Sequence, residues 1–318
     1  MARQMTFVEM NNDHPLTGSP TPGARVSRPP MASENVSDQA KTAAEWHTPQ
    51  RRGPLTLAPE VGGLLFSIAI LAFGIEHLVF SSAGASNMYP WLLGSPAWNY
   101  AFGALLIALS ASIGIKKRVS LAASVLGTIL CLYGLCVYVP RMFAHLRDPG
   151  PWTDIASLGS PLSAACELLA MGGAAWVLAG TGAMNMKWMA RLGRVVFAAT
   201  LVAFGAQHFL YSAFLATLIP SWIPWHLFWE DLVGAAFVAA AAAIATNKAA
   251  RLAALLLGTM FALFVLVLHV PRVVAAVGSR DQWTSGLVAV AMSAGSFILS
   301  GASKRSTEGR APARGTTA

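Results

Sequence analysis

From Val61 to Gly301 the chain is a succession of eight apolar runs, none of which alternates in the manner of a strand. Each comes close to the roughly 20 residues a helix needs to cross a hydrocarbon core. In lipid every backbone N–H and C=O must be bonded internally, so continuous runs of this kind fold as helices rather than as a barrel. Charged residues occupy only 11% of the 318 positions, against about a quarter in soluble chains. The expected fold is an all-α membrane protein. Its spans are expected near Val61–Phe80, Ala97–Ile115, Val119–Val139 and Leu162–Gly180, then Val195–Phe214, His226–Thr246, Ala250–Val270 and Gly286–Gly301.

Residues 1–54 are rich in Pro, Gly, Ser, Thr and Asn and lack an apolar run. They read as a disordered tail, with Met31 as well as Met1 able to start it, and 304–318 reads as a short disordered basic tail. A net charge of +8 invites a nucleic-acid partner, but the basic residues fall in short clusters between the runs. The partner they imply is the lipid bilayer, not nucleic acid. Arg51 and Arg52, Lys116 to Arg118, Lys187, Arg191 and Arg194, Lys248 and Arg251, and Lys304 and Arg305 share one side if the spans alternate. The other side holds Arg141, Arg147, Arg272 and Arg280, with Asp148, Asp154 and Asp281 among them. The positive-inside rule then places both termini in the cytoplasm of a multi-pass plasma-membrane protein.

The eight spans are two copies of four. At an offset of 131 residues Phe73, Gly74 and His77 fall on Phe204, Gly205 and His208. Trp98 falls on Trp229, Gly103 on Gly234, and Leu126-Gly127-Thr128 on Leu257-Gly258-Thr259. Val139-Pro140-Arg141 falls on Val270-Pro271-Arg272, and Trp152-Thr153 on Trp283-Thr284. Copy one then carries extra residues before Met171 and Gly180 come opposite Met292 and Gly301. So many coincidences of Trp, His, Pro and Gly identify an internal repeat, 55–185 and 186–303. Four spans per copy is an even number, so the two tandem four-helix bundles are expected in parallel orientation about an axis along the membrane normal.

Ionisable residues within the spans gather near one face. In copy one these are Glu76, His77, Arg141 and Glu167; in copy two they are His208, Glu230, Asp231, His269 and Arg272. A carboxylate at the centre of a span costs roughly 2.5–3.5 kcal/mol on insertion scales, so Glu76 calls for a partner. Its counterpart in copy two is Gln207, while Glu230 and Asp231 stand opposite Asn99 and Tyr100, so the copies differ in charge. In Phe-Gly-x-x-His the glycine shares a helix face with the histidine and lets a neighbouring helix approach. The histidine is then either a ligand-binding group or a packing residue bonded to a carbonyl or to Trp98. Glu230 and Asp231 could equally open a helix in headgroup water, where its N-terminus favours negative charge. Pro140 and Pro271 are expected to end spans three and seven. Arg141 and Arg272 beside them either hold lipid headgroups or pair with Glu76, Glu167 or Glu230. Cys131, Cys136 and Cys166 lie in apolar stretches and suggest packing, not a metal or disulfide framework.

Phe-Gly-x-x-His in a first span, the Pro-Trp-x-Pro loop at 220–224, Trp229 through Gly234, and His269-Val270-Pro271-Arg272 together resemble the DoxX-like family of four-helix membrane proteins. Copy two is the closer match; copy one has Leu93 in place of Pro224 and Tyr138 in place of His269. The resemblance implies a membrane subunit of a quinone-reducing oxidoreductase, such as thiosulfate:quinone oxidoreductase, or a partner in a thiol-stress membrane complex. A quinone would be its ligand, with a soluble or membrane redox partner delivering electrons. Family members are usually single four-helix units, so this fused pair implies an obligate pseudo-dimer. Read from the residues alone, a transporter of a small solute or protons, a structural or assembly protein, and haem ligation between His77 and His208 remain open.

Overall fold

A computed structural model describes residues 54–80, 96–145, 159–182 and 186–308. The expected tails lie outside these residues, apart from Pro54 and the helical turn at 304–308. Among the described residues there is no strand, and eight helices are long and apolar enough to cross a membrane. They are α1 (Leu57–Val79), α2 (Ala97–Gly114), α3 (Val119–Phe143), α4 (Ser160–Ala179), α5 (Lys187–Leu210), α6 (His226–Thr246), α7 (Ala250–Ala275) and α8 (Arg280–Ala302). One further helical turn, Ser212–Ala216, follows α5. On α1, Leu64, Ile68, Leu71, Ile75 and Val79 form an exposed aliphatic stripe at helical spacing, while Phe66, Ala69 and Ile70 are fully enclosed. A helix apolar on its outer as well as its inner face belongs in lipid, and the chain is a polytopic membrane protein.

Two expectations about helix ends are corrected. Helix α5 begins at Lys187, eight residues before the expected Val195, because hydropathy marks the hydrocarbon segment while the helix runs on past Arg194 and Arg191. There Arg194 donates to Ile244 O and Asn247 Oδ1 at 3.2 and 2.9 Å, placing a cation on the carbonyl end of α6. Helices α3 and α7 do not stop at their prolines. Each makes a π-helical turn, Gly134–Tyr138 and Val265–His269, and continues beyond Pro140 and Pro271. A proline has no N–H and its ring collides with the carbonyl four residues back. The wider π-turn accommodates both defects without ending the helix.

Each helix packs on its neighbour in sequence, and α8 closes the series on α1. Helices α4 and α8 also touch each other. The α1–α8 contact recurs in detail between α5 and α4. Pro59 meets Gly301 as Ala190 meets Gly180, and Gly62 meets Ala294 O as Gly193 meets Gly173 O. Where α4 and α8 meet, Gly295 lies against Ala174, which is its own counterpart in the repeat, as contact across a two-fold requires. The first helix of each copy therefore packs on the last helix of the other. Helices α4 and α8 separate two compartments, one walled further by α1–α3 and the other by α5–α7. The same pairing recurs in the core, with Phe66 and Phe197, Leu126 and Leu257, and Met171 and Met292 all buried. It extends to the tight α2–α3 and α6–α7 turns, where Lys116 and Arg118, and Asn247 and Ala249, take left-handed φ values of 57°, 51°, 57° and 53°.

Glycines set the closest crossings. A Cβ on Gly74 would stand 2.9 Å from Gly103 O, and one on Gly205 3.0 Å from Gly234 O. The expected glycine-mediated approach of span two to span one, and of six to five, is thus present. Gly74→Ala is expected to destabilise the purified protein by about 1–3 kcal/mol through overpacking against backbone. Gly278, with nothing within 4 Å of a built Cβ, should tolerate alanine without change. Thermal unfolding in detergent compares the two.

Candidate functional site

The α1–α8 and α5–α4 interfaces carry polar side chains at one end, and there the copies diverge. Glu76, only 5% exposed along its side chain, accepts 2.9 Å from Arg280 Nε and 2.5 Å from Thr284 Oγ1. Arg280 is 31% exposed and opens α8. Its partner is thus neither Arg141 nor Arg272, the arginines considered for it. The equivalent contact is neutral: Ser163 donates to Gln207 Oε1. Ser163 stands to α4 as Thr284 does to α8, in the register that also pairs Met171 with Met292. In that register Arg280 corresponds to Gly159. Acid and base are replaced together, Glu76 with Arg280 in one interface and Gln207 with Gly159 in the other.

Both histidines of the Phe-Gly-x-x-His motif are held alike. His77 Nδ1 donates to Phe73 O at 2.9 Å and His208 Nδ1 to Phe204 O at 3.0 Å. The carbonyl four residues back fixes the ring so that Nε2 faces away from its own helix. The carbonyl-bonded reading of these histidines is therefore correct as local structure, and it leaves one nitrogen of each for other work. Helices α1 and α5 share no packed interface. His77 packs on Gly103 and Phe102, and His208 on Gly234 and Phe237, so the two rings have different neighbours.

In the compartment bounded by α4–α8 lies a cavity of about 1120 Å³, just above the ~300–1,000 Å³ usual for ligand pockets. It collects five of the nine candidate residues: Glu167, His208, Glu230, His269 and Arg272. His208 Nε2 lies 3.7 Å from Glu230 Oε2, within reach of charge but too far for a hydrogen bond. The π-turn in α7 brings His269 to the same space. Three buried atoms there have no hydrogen-bond partner among the described residues: Gln207 Nε2, Glu230 Oε2 and His269 Nδ1. Such atoms are rare in folded proteins and mark places where another molecule completes the bonding. The remaining wall is aromatic and aliphatic, with Phe204, Phe237, Phe261, Phe264 and Met292. Trp222, Ile223 and Pro224 line the cavity at its loop end.

The other four candidates lie elsewhere. Asp231 is exposed and does not line the cavity. Glu76 is committed to α8, as above. His77 joins an aromatic cluster in which Phe102 stacks with Trp98 and Tyr133, and Tyr133 meets Tyr138 edge-on. The Arg141 guanidinium sits 5.3 Å from the centre of the Tyr138 ring. Arg280 is close enough to act electrostatically on His77, Tyr133 and Tyr138. Arg280 and Tyr138 thus stand on the side of α1–α3 where the side of α5–α7 has Gly159 and His269.

Arg280, Thr284, Ser163 and Gln207 as a binding group were missed from sequence. A hydroxyl residue one helical turn after Arg280, which opens α8, was the available signal. It was masked because identity aligns Thr284 with Thr153.

No protein-family model, no curated protein and no solved structure matches the chain.

Removing one partner of a buried ion pair leaves the other uncompensated. Because Arg280 retains some access to water, Glu76→Gln is expected to cost about 1–3 kcal/mol rather than the ~3–5 of a fully enclosed pair. Adding Arg280→Gly, which copies the neutral interface, should recover most of the loss. A double-mutant cycle of thermal stability measures the coupling.

Proposed function

We propose that the chain is a tandem DoxX-like membrane protein whose second copy binds the head group of a membrane quinone within a redox complex. On this reading the two four-helix units lie parallel about an axis along the membrane normal. Both termini face the cytoplasm, and the polar end of the α4–α8 cavity faces the outside of the plasma membrane. The observation that carries the reading is the meeting of three unpartnered buried polar atoms with an extended apolar wall in one cavity. A quinone presents carbonyl acceptors on a flat ring, followed by an apolar tail. Gln207 Nε2 and a protonated His269 Nδ1 can donate to such carbonyls, and the phenylalanines suit the ring and the first part of the tail.

Reduction of a bound quinone takes two electrons and two protons. The reading assigns the electrons to a soluble or membrane partner and the protons to the His208–Glu230 pair, with Glu167 beside the same cavity. It favours binding over permeation because the ionisable groups of this cavity stay at one end. Between Val233 and Thr246 on α6, and between Leu252 and Leu268 on α7, there is no ionisable side chain.

Titration of the purified protein with a short-tailed benzoquinone tests this, read through quenching of tryptophan fluorescence, since Trp222 and Trp229 line the cavity. Saturable quenching is expected. Gln207→Leu and His269→Leu should each weaken binding about tenfold, equivalent to ~1.4 kcal/mol, while Asp231→Asn leaves it unchanged. Absence of saturable binding in the native protein would overturn the reading.

A further inference from the structure

The cavity has two borders with its surroundings, and they differ in construction. At the loop end the chain between Phe214 and Pro224 is tied down twice. Arg272 Nη2 donates to Leu218 O, and Trp229 Nε1 donates 3.0 Å to Pro224 O. At the side the boundary is the seam between α6 and α7. These helices pack less extensively than α5 and α6, which are drawn together at Gly205 and Gly234. Alanine at 236 lines the cavity on α6 and adds little bulk to the seam. Leu232 on α6 and Leu263 on α7 both line the cavity and are 46% and 53% exposed. Half-exposed wall residues on both helices of the more loosely packed seam point to an opening there. The outer surface around it is apolar, with Leu256 and Leu266 of α7 also exposed, so the opening gives onto lipid.

We propose that the α6–α7 seam is a lateral portal through which an amphiphile dissolved in the bilayer enters the cavity, its apolar tail remaining between Leu232 and Leu263. The proposal rests on the cavity being a ligand site and adds the route and the class of ligand: a polar head on a tail long enough to stay in lipid, not a solute arriving from water. With the loop end held by Arg272 and Trp229, exchange is limited by the seam. Bulk added at the seam therefore slows entry, and bulk removed speeds it, whereas the affinity of the head-group site is set by Gln207, His208, Glu230 and His269 and stays the same.

The test uses the full chain in lipid vesicles containing a tailed quinone, with binding followed in time. Leu232→Trp with Leu263→Trp is expected to slow association about tenfold while equilibrium binding of a tail-less benzoquinone stays within about twofold, because association rates and site affinity are separable. Leu232→Ala with Leu263→Ala should accelerate association. Unchanged rates in both variants, with binding intact in the native chain, overturn the portal alone. If the tryptophan pair abolishes tail-less binding too, the alanine pair decides: a faster rate upholds the portal, and an unchanged rate overturns it. Absence of any quinone binding to the native chain removes the ligand reading and the portal with it.

Discussion

Lipid offers no hydrogen bonds, so a polar side chain within an apolar helix must find its partner inside the protein. For Glu76 and Gln207 the partners come from the other copy. Glu76 of α1 is met by Thr284 and Arg280 of α8, and Gln207 of α5 by Ser163 of α4. Glycines and small residues bring the same helix pairs together further along, at Gly62 and Gly193. This exchange makes α4 and α8 a shared partition and divides the bundle into two compartments. Separated from these helices of the other copy, Glu76 and Gln207 would lose the partners described here.

The duplicated frame carries unequal contents. On the side of α1–α3, Glu76 Oε1 is held by Arg280 and Thr284 while Glu76 Oε2 is left without a partner, and Tyr138 joins the aromatic cluster. On the side of α5–α7, Gly159 stands in the place of the arginine, His269 in that of Tyr138, and the acid becomes an amide whose nitrogen is left without a partner. The cavity of about 1120 Å³ lies in the compartment bounded by α4–α8, where Gln207, Glu230 and His269 line it. A duplicated unit can diverge in this way because each ionic substitution needs only its immediate partner to change with it.

Much of this frame was legible in the sequence. Apolar runs of spanning length impose helices, and eight such helices are present, whereas the paired π-turns were not anticipated, since Pro140 and Pro271 were expected to end their spans. The glycine contacts at 74 and 103 could be anticipated because a missing side chain in a span permits close approach. Helix ends were less legible: apolarity ends where hydrocarbon would, while α5 continues through its cationic turn and α3 and α7 pass their prolines. The layer of ionisable residues was visible as a layer, but its sorting was not. Asp231 and Glu230 are adjacent in sequence, and a turn of about 100° per residue puts one outside and the other on the cavity wall. Glu76 and Arg280 lie in different copies and so far apart that no local pattern links them.

The central claim is that the frame has one working compartment. Electron cryomicroscopy of the protein extracted gently with its native lipids and quinones tests it most directly. Density for a head group is expected against Gln207, His208 and His269, with a tail leading toward α6 and α7, and the space beside Tyr138 and Arg280 should hold protein side chains alone. Equivalent ligand density in both compartments, or a continuous water-filled path and no ligand in the second, would contradict the account.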